Sequence, residues 1–74
     1  MTIYKIIGDN IRGIREKKGW TQEKLGVRAN LNDKYIGCIE RAEKKASIDA
    51  LLVIAKVLHI DFYKLFIIDS HKDN

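Results

Sequence analysis

Thr21–Arg41, TQEKLGVRANLNDKYIGCIER, is the stretch whose reading decides the fold. It holds two segments of helical apolar spacing, joined at RANLN by too few residues for a loop between independent helices. Thr21 is a good N-cap and Glu23 falls in the first turn behind it, which predicts a helix from Gln22 to Arg28. Asn32 is a second N-cap residue, followed by Asp33, and Ile36 and Ile39 give the next helix one buried face up to Arg41. Two short helices joined by three or four residues cannot lie flat and antiparallel. They cross steeply, and the outer face of the second stays exposed, convex and narrow enough for a DNA major groove. The turn length by itself favours the other reading, an ordinary corner of a small helical bundle.

The rest of the chain reads as helical too. Ile7, Ile11 and Ile14 share one face of a first helix running from about Thr2 to Lys18, with Lys17 and Lys18 in its last turn and Gly19 behind them as a cap. RAEKKA reads as a loop. Ser47 caps a fourth helix whose main stripe is Ile48, Leu51, Leu52, Ala55 and Leu58, widened by Val53, Ile54 and Val57. Asp61 caps a short fifth helix, FYKLFII, and DSHKDN is a polar tail over residues 69–74. No strand alternation, repeat or linker is present. The expected fold class is all-α, a compact five-helix single domain over residues 1–68.

Composition narrows the function. A chain of 74 residues carries one domain with a modest core and little room for a deep catalytic pocket, so an enzyme is not expected. Apolar residues make up 46% and charged residues 32%, too apolar for a disordered chain. No apolar run approaches the roughly 20 residues of a membrane span, and MTIYKIIGDN lacks the pattern of a signal peptide. Cys38 has no partner for an internal disulfide, which fits a reducing cytoplasm. Cys38, His59 and His71 do not have metal-ligand spacing, and a Cys/His nucleophile would lack an orienting third group. No metal or cofactor is expected. As a redox switch Cys38 is the lesser reading beside a small, half-buried side chain. The net charge is +4 and uneven: residues 1–45 hold eleven Lys/Arg against six Asp/Glu, and residues 46–74 hold three against four. A basic first part suits a polyanionic partner. A merely solvated basic surface would look the same.

The combination of motifs is more specific. Ile-Arg-x-x-Arg, Gly-x-Thr-Gln, Ile-x-x-Ile-Glu-Arg and Ser-Ile-x-x-Leu occur in IGDNIRGIREKKGWTQEKL, YIGCIER and SIDALLVIAKVLHIDFYKLF, which together span about Ile7 to Phe66. In these the chain resembles the lambda-repressor-like (XRE) helix-turn-helix regulators, with the helix-turn-helix at helices 2 and 3. ANLNDKYIGCIER looks most like the small dimeric controller proteins of restriction–modification systems. The resemblance implies a cytoplasmic transcriptional regulator binding a double-stranded DNA operator, with RNA polymerase as a further candidate partner. The alternatives are a phage-type repressor, or an antitoxin or adaptor module that binds a partner protein.

The resemblance also implies residue roles. Gln22, beside free N–H groups at a helix start, would hold a phosphate. Asp33, Lys34, Tyr35 and Cys38 would face bases or nearby phosphates: Lys34 can donate to guanine, and Tyr35 can reach a phosphate or a thymine methyl. Gly37 would allow close approach of the backbone. Arg41, Lys44 and Lys45 would straddle the phosphate backbone. Arg15 and Glu40 would form a partly buried bidentate pair locking the third helix to the first. Three residues depart from the family pattern. Gly26 replaces the usual Ala and should loosen the second helix by up to ~1 kcal/mol. Ala42 replaces the usual Gly, so the third helix should end differently. Asp33 is an acid facing phosphates, best read as serving the helix dipole.

The last third holds more apolar side chains than three short helices can cover, with Phe62, Leu65, Phe66, Ile67 and Ile68 within seven residues. Such an excess marks an interface. A two-fold dimer would present two recognition helices about 34 Å apart to a pseudo-palindromic operator. The expected homodimer interface is Val53, Val57, Phe62, Ile67 and Ile68, built on a C-terminal dimerisation helix.

Overall fold

The structure, a computed structural model, describes residues 2–68, so the polar tail lies outside the described residues. Four α-helices follow one another: α1 (Ile3–Lys17), α2 (Gln22–Ala29), α3 (Asp33–Glu40) and α4 (Ile48–Leu58), then a 3-10 turn at Phe62–Phe66. No strand occurs among the described residues. Each α-helix starts at a side-chain cap. Thr2, Thr21, Asn32 and Ser47 accept from the backbone N–H of Lys5, Lys24, Lys34 and Ala50. A cap of this kind is worth about 1 kcal/mol, enough to define the ends of eight-residue helices that would not persist alone.

The helices stop by backbone conformation. With no proline in the chain, each helical run ends beside a left-handed residue: Gly19 (φ 73°), Asn30 (φ 57°), Ala42 (φ 58°) and His59 (φ 59°). Ala42 therefore ends α3 as the missing glycine would have done, keeping the geometry at the expense of a strained Cβ.

The core draws on every element. Ile7 and Ile11 of α1, Leu25 and Ala29 of α2, Ile36 and Ile39 of α3, Leu51, Ile54, Ala55 and Leu58 of α4 and Leu65 of the 3-10 turn form one buried cluster. α1 reaches α3 almost backbone to backbone at Gly8, where a Cβ would lie 2.5 Å from the Ile39 carbonyl oxygen. Gly26 has the same role in the turn between α2 and α3. A Cβ there would sit 2.6 Å from the Leu31 carbonyl oxygen, and the Gly26 carbonyl accepts from the Leu31 N–H at 2.8 Å. The expectation that Gly26 only loosens α2 is corrected: the tight turn needs the bare backbone.

Two further expectations change. The fifth helix is a single 3-10 turn, and Ile67 behind it is extended (φ −89°, ψ 130°), so Ile67 and Ile68 are not helical. Ile48 and Leu52, read as core, are 61% and 47% exposed. The buried stripe of α4 is Ala50, Leu51, Ile54, Ala55 and Leu58. At 100° per residue Ile48 and Leu52 flank one margin of that stripe, while half-buried Val53 and Val57 flank the other. The C-terminal segment is fastened by a side chain that the sequence did not single out. The Asn10 amide nitrogen donates to the carbonyl oxygens of Leu65 (2.8 Å), Ile67 (2.9 Å) and Lys64 (3.4 Å).

Candidate nucleic-acid interface

α2 and α3 are joined by Asn30–Asn32, with Asn30 in the left-handed conformation and Asn32 as the next cap. The arrangement buries Ile36, Gly37, Ile39 and Glu40 of α3. Asp33, Lys34 and Arg41 are left exposed, and Cys38 half-exposed, along the opposite edge. Asp33 lies in the first turn of α3, where a carboxylate complements the dipole. Lys34 caps nothing and pairs with nothing among the described residues, so its ammonium group is available at the front of the helix.

Behind this edge lies a polar buttress. Arg15 Nε donates to Glu40 Oε2 at 2.7 Å, and a terminal Arg15 nitrogen donates to Glu40 Oε1 at 3.0 Å. The other terminal nitrogen donates to the Trp20 carbonyl at 2.7 Å. Gln22 Nε2 completes the set by donating to Glu40 Oε1 at 3.0 Å. Glu40 is 2% exposed and Arg15 8%, and every buried side-chain nitrogen and oxygen among the described residues has a partner. The hydrogen bond to Glu40 pushes the Arg15 guanidinium above its ordinary value, outweighing the opposite effect of burial. This network ties the end of α3 to α1 and to the start of α2. It also aims Gln22, because one amide proton is spent on Glu40 while the amide oxygen lies over Gly37, 3.2 Å from where a Cβ would be.

The other residues singled out from the sequence divide into two groups. Arg41 joins Gln22 over Gly37, with a terminal nitrogen 3.0 Å from the Cβ position, and its Nε and second terminal nitrogen are bonded to Glu43 at 3.0 and 3.1 Å. Arg12, Arg15, Glu16, Gln22, Glu40 and Arg41 line one open cleft where α1, α2 and α3 meet. Tyr35 and Lys45 are directed elsewhere. The Tyr35 hydroxyl accepts from the Ser47 N–H at 3.3 Å, which uses a half-buried ring to brace the start of α4. Lys45 lies 5.9 Å from the centroid of the Tyr4 ring on α1, and Lys44 is exposed. Trp20 is a feature that the sequence reading passed over. Lys18, Lys24 and Arg28 surround its ring at 5.6, 5.5 and 4.8 Å. The four-residue interval between Lys24 and Arg28 was a visible sign that both lie on one side of α2. Nothing local marked Asn10 or Glu43, whose roles depend on distant carbonyls and on a reversal of the chain.

Among the described residues, no helix is long and apolar enough to cross a membrane, and no group of His, Cys, Asp and Glu is placed to hold a metal ion.

Comparison with known proteins agrees with this geometry. The helix-turn-helix family matches residues 11–65. The control protein C.SmaI of Serratia marcescens is 34% identical over 65 residues, covering 88% of this chain and 77% of its own. The restriction–modification controller protein C.AhdI of Aeromonas hydrophila superposes with a TM-score of 0.82 at 32% identity, over 85% of this chain and 96% of its own. SinR, a master regulator of biofilm formation solved in complex with DNA, superposes with a TM-score of 0.76 at 30% identity, over 80% of this chain and 95% of its own. The chain belongs to the helix-turn-helix family of DNA-binding regulators and closely resembles the controller proteins of restriction–modification systems.

Proposed function

We propose that this protein is a controller-type transcriptional regulator that binds a pseudo-palindromic operator as a homodimer, with α3 in the major groove. The observation that carries the reading is the two-sided character of α3. Its inner face is locked by Ile36, Ile39 and the Glu40 network, while its outer edge presents Lys34, Cys38 and Arg41. In this reading Lys34 reads a base edge, Gln22 and Arg41 hold backbone phosphates, and Lys44 adds a cation behind α3. Asp33 serves the helix dipole. Tyr35 and Lys45 support the interface from the α4 and α1 sides. A regulator of this kind works in the cytoplasm, where it meets its operator and RNA polymerase.

The dimer rests on size and surface. The protein measures 32 × 24 × 19 Å and carries one helix-turn-helix. It takes a second copy to reach a major groove about 34 Å away. Ile67 and Ile68 are 45% and 67% exposed and Val53, Val57 and Phe62 are half-buried, and these five side chains are assigned to the apolar face that meets that copy.

A duplex titration across salt tests the reading. With about six phosphates neutralised per dimer, log K should fall against log salt with a slope of roughly −5. A flat response would refute DNA binding. Lys34→Ala should cost about 1–3 kcal/mol on the preferred sequence and much less on random DNA. Equal losses on both would remove its base-reading role.

A further inference from the structure

We propose that Glu43 restrains the affinity of the DNA interface. In the free protein it occupies the Arg41 guanidinium, so that the phosphates of any duplex must compete with a carboxylate for that cation. The inference rests on the DNA-binding role of Arg41 given above.

Glu43 is held in place by the backbone. Ala42 reverses the chain at φ 58°, its N–H donates to the Ile39 carbonyl at 3.1 Å, and the Glu43 N–H donates to the Cys38 carbonyl at 2.8 Å. These two bonds form the helix-ending motif in which the second residue past the cap folds back on the last turn. Glu43 is therefore delivered to the side of α3 that bears Arg41. Its two carboxylate oxygens accept from Arg41 Nε and a terminal nitrogen at 3.0 and 3.1 Å, the fork geometry in which a guanidinium binds a phosphate. The pair leans on the Cys38 sulfur, 4.0 Å from Arg41, and the remaining terminal nitrogen lies against Gly37, 3.0 Å from where a Cβ would be. Arg41 is laid along α3 with its charge balanced. The neighbouring guanidinium holds the Glu43 carboxyl below its ordinary value, so the pair is fully ionised at neutral pH. The other exposed pairs among the described residues, Lys5–Asp9 and Arg12–Glu16, lie within α1 and engage no residue of the proposed interface.

The consequence is a loss of affinity for every duplex whose phosphate Arg41 holds. The contacts of Lys34 add to operator binding with or without Glu43, so they leave this cost unchanged. The test is fluorescence anisotropy with a random-sequence duplex and with a duplex selected by the wild-type protein from a random pool. Wild type, Glu43→Gln, Arg41→Ala and the double variant are compared across salt, with thermal melts to confirm that each is folded. Glu43→Gln should bind both duplexes several-fold more tightly and steepen the salt slope of each by about one per protomer. The gain should vanish when Arg41 is Ala. No change on Glu43→Gln, or the same gain without Arg41, would overturn the proposal and leave the DNA reading intact. Failure of the wild type to bind any duplex would overturn the DNA reading itself.

Discussion

Residues 2–46 and residues 47–68 are built on different principles, although they share one core. Every ion pair among the described residues falls in the first part: Lys5–Asp9, Arg12–Glu16, Arg15 with Glu16 and Glu40, and Arg41–Glu43. The second part has none among the described residues, and Ile48, Leu52, Tyr63, Ile67 and Ile68 are exposed there. Directional bonds are needed where a donor must point at a fixed place on another molecule. Undirected apolar surface suffices where two like surfaces only need to exclude water. The difference teaches that position is stored in the Arg15–Glu40–Gln22 network, and on the proposed function affinity between copies is stored in the C-terminal third.

Breaking the network should have the largest effect. Glu40→Ala leaves Arg15 buried with its charge unbalanced, a change that typically costs about 3–5 kcal/mol. The domain should be largely unfolded at room temperature by circular dichroism. A melting point within a degree or two of wild type would show that the buttress does not hold α3 in place.

The apolar part should fail in a different way. Ile68→Asp places a charge in the proposed self-interface while leaving the core untouched, since Ile68 is 67% exposed. The expected outcome is a folded monomer in sedimentation at micromolar concentration, with operator affinity lowered by at least tenfold, about 1.4 kcal/mol. Leu52→Asp probes the opposite margin of α4 and should leave the dimer intact. If Leu52→Asp alone dissociates it, the interface lies on the Ile48–Leu52 edge instead.

The join between the two parts is Asn10. Asn10→Ala strips the carbonyls of Lys64, Leu65 and Ile67 of their shared donor. The cost should be about 1–2 kcal/mol, concentrated at the C-terminal segment. Amide exchange should therefore rise in residues 62–68 and stay unchanged in α3. A uniform increase would mean that the two parts unfold as one.

The smallest effect is a gain. Ala42→Gly removes a Cβ from a left-handed position, a relief of about 1–2 kcal/mol, partly offset by the greater freedom of glycine in the unfolded chain. A rise in melting temperature of a few degrees is expected. A fall would show that Ala42 makes contacts that outweigh its strain.

Much of this molecule could be read along the chain because the deciding signals are local. Four capping residues, Thr2, Thr21, Asn32 and Ser47, mark the helix starts, and the apolar intervals of α1 and α3 name their buried faces. The same periodicity failed on α4. Ile48 and Leu52 are as apolar as the residues that are buried, and only the positions of α2 and the 3-10 turn decide which margin is covered. FYKLFII could not disclose where its helix ends, because Asn10, more than fifty residues away in sequence, takes the carbonyls that a continued α-helix would have used internally. Gly26 and Ala42 looked like departures from a pattern. The first is required by the approach of the Leu31 carbonyl, and the second accepts a left-handed φ despite its side chain. The sequence by itself determined the helices, the short turn between α2 and α3 and the residue types on the outer edge of α3. These follow from side-chain spacing and capping, which act over a few residues. Only the tertiary structure decided which side chains converge on Gly37 and which turn instead to Ser47 and Tyr4. Those outcomes depend on distances between atoms that no local interval along the chain records.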